Sequence, residues 1–73
     1  MEFKIDKYGV LTKYTGIATE IIILNGVTGI GDHAFQDCKN LTNITIPDSV
    51  TNISKYAFNG CKNLKKIIRN SNT

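Results

Sequence analysis

The 73-residue sequence has no tryptophan, one proline, one histidine and two cysteines. Each scarcity excludes a class of chemistry. A structural zinc site takes about four ligands, with close Cys or His pairs; one His and two Cys separated by 23 positions do not supply that. A hydrolytic site needs a nucleophile beside a base. His33 stands alone, and Ser49, Ser54 and Ser71 sit in no recognisable elbow. His33 is therefore read as a surface residue. The carboxylates Glu2, Asp6, Glu20, Asp32, Asp37 and Asp48 form no calcium-loop pattern. Gly26, Gly29 and Gly31 lack the order of a phosphate loop. The expectation is a non-enzymatic chain with no cofactor and no metal.

Long apolar runs and clustered charge are also missing. No stretch of 18 apolar residues occurs, so no membrane-spanning helix is expected. Met1-Glu2-Phe3-Lys4 leads into alternating residues rather than a basic stretch followed by an apolar one, so no signal peptide is read. The expected location is cytoplasmic if the chain is complete, and an extracellular surface if it is a piece of a longer protein. The net charge is +3, and only Lys65-Lys66 are adjacent among the nine Lys and Arg. A nucleic-acid surface shows more clustering, so no nucleic acid is expected. The apolar share of 41% and charged share of 21% fit one small globular domain. Asn40-Leu41-Thr42, Asn43-Ile44-Thr45 and Asn52-Ile53-Ser54 match the glycosylation triplet, a coincidence in an Asn- and Thr-rich chain without export.

What is present is a repeat. Val27 to Ile46, shifted by 23 positions, lies on Val50 to Arg69 with ten identities in 20 positions. Seven of the ten are apolar or Cys, the positions a packed interior fixes: Val27/Val50, Ile30/Ile53, Ala34/Ala57, Phe35/Phe58, Cys38/Cys61, Leu41/Leu64 and Ile44/Ile67. A period between about 20 and 50 residues marks a solenoid. The organisation read from this is a capping hairpin over 1–16 and a solenoid over 17–69. The solenoid comprises a partial repeat 17–26 and repeats 27–49 and 50–70. A polar tail takes up 70–73.

In order along the chain, Phe3 and Ile5 alternate with charged residues, Lys7-Tyr8-Gly9 can turn, and Val10 to Tyr14 is β-rich. This hairpin is expected to cover the first open end of the solenoid. Ala18-x-x-Ile21-x-Ile23, Leu41-x-x-Ile44-x-Ile46 and Leu64-x-x-Ile67-x-Arg69 align as three parallel strands. Period-two alternation puts Ile21, Ile23, Ile44, Ile46 and Ile67 inward. Asn25-Gly26 and Asp48-Ser49 form turns, and Pro47 ends its strand. Val27, Ile30, Val50 and Ile53 then return to the core. Short helical pieces over 33–36 and 56–59 are expected next, capped by Asp32 and Ser54 and held by burial of Phe35 and Phe58. Asp37 and Gly60, and likewise Gly29 and Asn52, share slots that tolerate left-handed backbone. Cys38 and Cys61 occupy one slot in successive turns. Strands lie ~4.8 Å apart while disulfide Cβ atoms lie ~3.8 Å apart, so stacked, buried free thiols are expected. Arg69 stands in an inward slot and marks the end of the array, leaving an open edge.

The pattern Ile30-Gly31-x-x-Ala34-Phe35-x-x-Cys38-x-x-Leu41-x-x-Ile44-x-Ile46-Pro47-x-x-Val50-Thr51-x-Ile53 closely resembles the BspA-type leucine-rich repeat family, over nearly the whole chain. Gly9 to Gly16 resembles the hairpin that often opens such arrays. The resemblance implies a small, curved leucine-rich-repeat solenoid. It has an N-terminal β-hairpin, about three parallel strands on the concave side and short helical turns on the convex side. It also implies a protein-binding role, often on bacterial or protozoan surfaces. The chain departs in its shortness, in Leu24 where Pro is expected, and in Asn52 and Ser54 where the first repeat has Gly29 and Gly31.

The outward strand residues carry the functional expectation, because solenoids use such faces for partners. They are Glu20, Ile22 and Leu24, then Asn43, Thr45 and Pro47, then Lys66, Ile68 and Asn70. The candidate partner-binding set is Glu20, Ile22, Leu24, Asn43, Thr45, Lys66 and Ile68. Ile22, Leu24 and Ile68 have no interior role in this register and point to an interaction site. The partner is a protein, engaged by a binding module that could act as a small inhibitor. The alternatives are a fragment of a surface adhesin array and a self-assembling protein, dimerised through the open C-terminal edge.

Overall fold

The structure is a computed structural model that describes residues 2–70. Seven strands follow in order: β1 (Phe3–Ile5), β2 (Val10–Tyr14), β3 (Glu20–Ile22), β4 (Gly29–Ile30), β5 (Asn43–Pro47), β6 (Asn52–Ile53) and β7 (Lys66–Asn70). They form two sheets, β1-β2-β4-β6 and β3-β5-β7. The expected solenoid of stacked turns is present. The three parallel strands pair in the register the 23-residue period implies, Ile21 with Ile44 and Ile44 with Ile67. The polar tail expected over 70–73 lies, past Asn70, outside the described residues.

One side chain braces the hairpin turn, beside the backbone bonds Asp6 N–H to Val10 and Gly9 N–H to Asp6. The Asp6 carboxylate accepts the N–H groups of Tyr8 at 2.9 Å and Val10 at 3.0 Å. Gly9 has φ 85°, a conformation in which a Cβ is strained. β1 and β2 pair antiparallel, and β2 then runs parallel to β4. The hairpin thus joins the array as part of its second sheet.

The interior holds Leu11, Tyr14, Ile21, Ile23, Val27, Ile30, Ala34, Phe35, Leu41, Ile44, Ile46, Val50 and Ala57. Four rings stack through it: Phe3–Tyr14, Tyr14–Phe35 and Phe35–Phe58, with centroids 4.9, 5.5 and 5.3 Å apart. Among the described residues, every buried side-chain N or O atom has a hydrogen-bond partner, as buried polar groups require.

Several expectations are corrected. The segments expected to be helical are turns, and the reason lies in the backbone donors. The N–H groups of Ala34, Gln36 and Cys38 bond within their own turn, to Gly31, His33 and Phe35. Those of Phe35 and Asp37 bond to Ala57 and Asn59 of the next turn. A helix needs every donor for its own i−4 carbonyl, and here alternate donors are taken by the neighbour. His33 and Asp37 also sit at φ 58° and 59°, outside helical space. Asp32 and Ser54 cap no helix; the Ser54 hydroxyl donates to the Asp32 carboxylate instead.

Gly29 and Asn52 are extended and paired in β4 and β6. Gly29 serves close approach, since a Cβ there would lie 3.3 Å from the Asn52 carbonyl. The left-handed slot is the other one: Asp37 at φ 59° and Gly60 at φ 81°. Ile67 and Ile53 face inward by register yet are 55% and 39% exposed, because no further turn among the described residues covers them. Pro47 is the last residue of β5 but is buried rather than outward, since its turn has a neighbour on each side. Cys38 and Cys61 are unbridged, and half-buried rather than fully buried.

Candidate docking face

Strand pairing sets the outward residues of β3, β5 and β7 in two rows. One row is Glu20, Asn43 and Lys66; the other is Ile22, Thr45 and Ile68. Leu24 lies just past β3 in the turn whose Val27 N–H bonds to the Leu24 carbonyl at 3.3 Å. The first row is polar and internally tied: the Asn43 amide donates to the Glu20 carboxylate at 3.1 Å. Lys66 at its far end is exposed. The second row is apolar at both ends and polar in the middle. Ile22 and Leu24 are each 74% exposed, and Ile68 41%. Asn43 and Thr45 are half-buried because they stand on the central strand.

The apolar surface continues where sequence reasoning placed only a cap. Sheet β1-β2-β4-β6 is closed at this end by β1, but β3 is the edge of its own sheet. A narrow apolar cleft of about 30 Å³ runs between the hairpin and β3, lined by Phe3, Ile5, Leu11, Ile22, Leu24 and Val27. Ile5 is 48% exposed and extends the patch of Ile22 and Leu24. Its apolar character beside charged neighbours was visible; its nearness to Ile22 depends on where the hairpin lands.

No group of three or more His, Cys, Asp or Glu suited to a metal ion occurs among the described residues. His33 lies outside, stacked on Tyr56 at 5.8 Å with nearly parallel rings. No helix of the described residues is long and apolar enough to cross a membrane. The arrangement offers a mixed polar and apolar face suited to contact.

A family model described as a BspA-type leucine-rich repeat region of six copies matches residues 12–73. Among solved structures, that of a T. pallidum leucine-rich repeat protein is similar, with a TM-score of 0.78 and 27% identity. The match covers 90% of this chain and 35% of that one, so the chain spans about a third of the length of that solved relative. No curated protein sequence matches the chain.

Proposed function

Because the chain belongs to the BspA-type leucine-rich repeat family, we propose that it is a non-enzymatic protein-binding module that docks a partner on the outward face of β3-β5-β7. The observation that carries this reading is the pair Ile22 and Leu24, each 74% exposed beside the polar row of Glu20, Asn43 and Lys66. Apolar residues grouped inside a polar rim are the usual make-up of a protein interface. The partner would present an apolar centre to Ile22 and Leu24 and polar groups to Glu20 and Lys66. A narrower form of the proposal is an inhibitor, a small phage- or mobile-element-encoded chain that blocks a host protein by occupying its surface. A longer surface array of such turns would use the same face.

The test is a double substitution, Ile22→Asp with Ile68→Asp. Partner capture from lysate should be lost while the circular dichroism spectrum and the mass in solution stay as in the parent. Loss of folding would show that these side chains are structural and would sink the reading.

A second reading is favoured by one observation. All five residues of β7 are exposed, and Ile53, Tyr56 and Ile67 lie uncovered at the same end. An unpaired strand edge with apolar residues is a template for pairing with another chain. Homodimers through this end would show a mass that rises with concentration in light scattering. A constant monomer mass would remove this reading.

A further inference from the structure

The two cysteines have no part in the docking face. They sit in the same slot of successive turns, and the ladder clamps those turns on both sides of them. Before them, the Asp37 N–H bonds to the Asn59 carbonyl at 2.8 Å; after them, the Lys65 N–H bonds to the Thr42 carbonyl at 2.8 Å. The Cys61 thiol reaches into the preceding turn, the one that carries Cys38, and donates to its Phe35 carbonyl at 3.0 Å. A ladder spacing of ~4.8 Å falls inside the Cα separation of disulfides, ~4.4–6.8 Å. That ladder spacing lies ~1 Å beyond the ~3.8 Å Cβ separation of a formed disulfide.

Access is also provided. The first turn is shorter than its successors, so no cysteine is stacked on the outer side of Cys38. In its place lies a cleft of about 370 Å³ lined by residues 14–18 and 36–41, Cys38 among them.

We propose that Cys38 and Cys61 are a redox-modifiable pair. A small disulfide such as oxidised glutathione enters the cleft over Cys38 and converts the pair into an intrachain disulfide that links two consecutive turns. The Cys38 thiolate attacks one sulfur of the small disulfide and expels a glutathione thiolate, which takes up a proton. The Cys61 thiol loses its proton to solvent and attacks the Cys38 sulfur, expelling the second glutathione. Two protein thiols are oxidised, one small disulfide is reduced, and two small thiols leave. The Phe35 carbonyl loses the Cys61 donor but keeps the Cys38 N–H at 3.2 Å, so closure orphans no acceptor.

The experiment treats the reduced chain with oxidised glutathione, folded and in concentrated urea. It then blocks remaining thiols with N-ethylmaleimide and weighs the products. The folded chain should lose two hydrogen atoms, accept no maleimide, and close roughly tenfold faster or more than in urea, because the fold holds the reacting atoms together. The Cys61→Ser variant should stop with one glutathione on Cys38. Glutathione adducts that never close, links only between chains, or closure no faster than in urea would each overturn the proposal. Should Cys61→Ser fail to fold, the urea comparison on the parent chain decides alone.

Discussion

At the amino-terminal end, β1 extends the second sheet and Phe3 and Tyr14 stack over Phe35. At the carboxy-terminal end, Ile53, Tyr56 and Ile67 lie bare, and one side chain folds back across the turn. The Arg69 guanidinium donates to the Pro47 carbonyl at 3.1 Å and the Val50 carbonyl at 2.9 Å. The same repeat slots thus hold different amounts of stability. A side chain in the middle turn has neighbours above and below; among the described residues, its copy in the last turn has neighbours on one side only. Position in the stack, as much as residue type, sets the worth of each residue.

The largest test of this contrast uses the aromatic slot. Phe35 is fully buried between Tyr14 and Phe58, while Phe58 is half-buried. Phe35→Ala should cost ~3–5 kcal/mol and Phe58→Ala roughly half of that, read as urea midpoints. Equal losses would mean that the last turn is covered after all, and a loss under about 1 kcal/mol at Phe35 would mean it is not core. A smaller effect is expected at Arg69. Hydrogen bonds from a charged donor contribute ~1.5–3 kcal/mol when shielded, and this residue is exposed, so Arg69→Ala should cost about 1 kcal/mol or less. It should also raise self-association, seen by light scattering, as the bare end loses its charge. Unchanged stability and mass would show that Arg69 closes nothing.

The faintest probe is the thiol pair. Burial is the first cause that pushes both thiols up, and for Cys38 the adjoining Cys61 comes next, with Lys13 acting the other way. A raised folded value stabilises the fold fully below the unfolded thiol value of ~8.5. That stability is lost as pH rises through the folded value. From about pH 8 to about pH 10 the urea midpoint should fall more in the parent than in a Cys38→Ala, Cys61→Ala double variant. Equal falls would assign the change to other groups.

The main strand ladder was legible because identical apolar residues recur at one spacing. Ile21, Ile23, Ile44 and Ile46 are buried where period two puts them. The second sheet was not legible, because strands of two residues, Gly29–Ile30 and Asn52–Ile53, are too short to alternate. The helical expectation over 33–36 failed for a related reason: whether the Phe35 N–H bonds within its turn depends on a carbonyl at Ala57, far along the chain. On the candidate docking face, alternation alone named Glu20, Ile22, Leu24, Lys66 and Ile68, which are exposed, but also Pro47, which is buried. Ile5 could not be named, since only the folded hairpin brings it beside Ile22.

The alternating backbone donors impose an arithmetic of parity on the chain. Adding or removing one residue in a turn would exchange the N–H groups that stay home with those that reach across. Changes of two leave both sets intact. The short first turn obeys this. Leu11 pairs with Ile30, 19 positions on. Tyr14 bonds to Ala34 as Phe35 bonds to Ala57, so Tyr14 stands for Phe35, 21 positions on. Thr19 accepts from Thr42 as Thr42 accepts from Lys65, at the full 23. Length is shed in pairs, so such turns can shrink or grow in even steps while keeping phase with their neighbours.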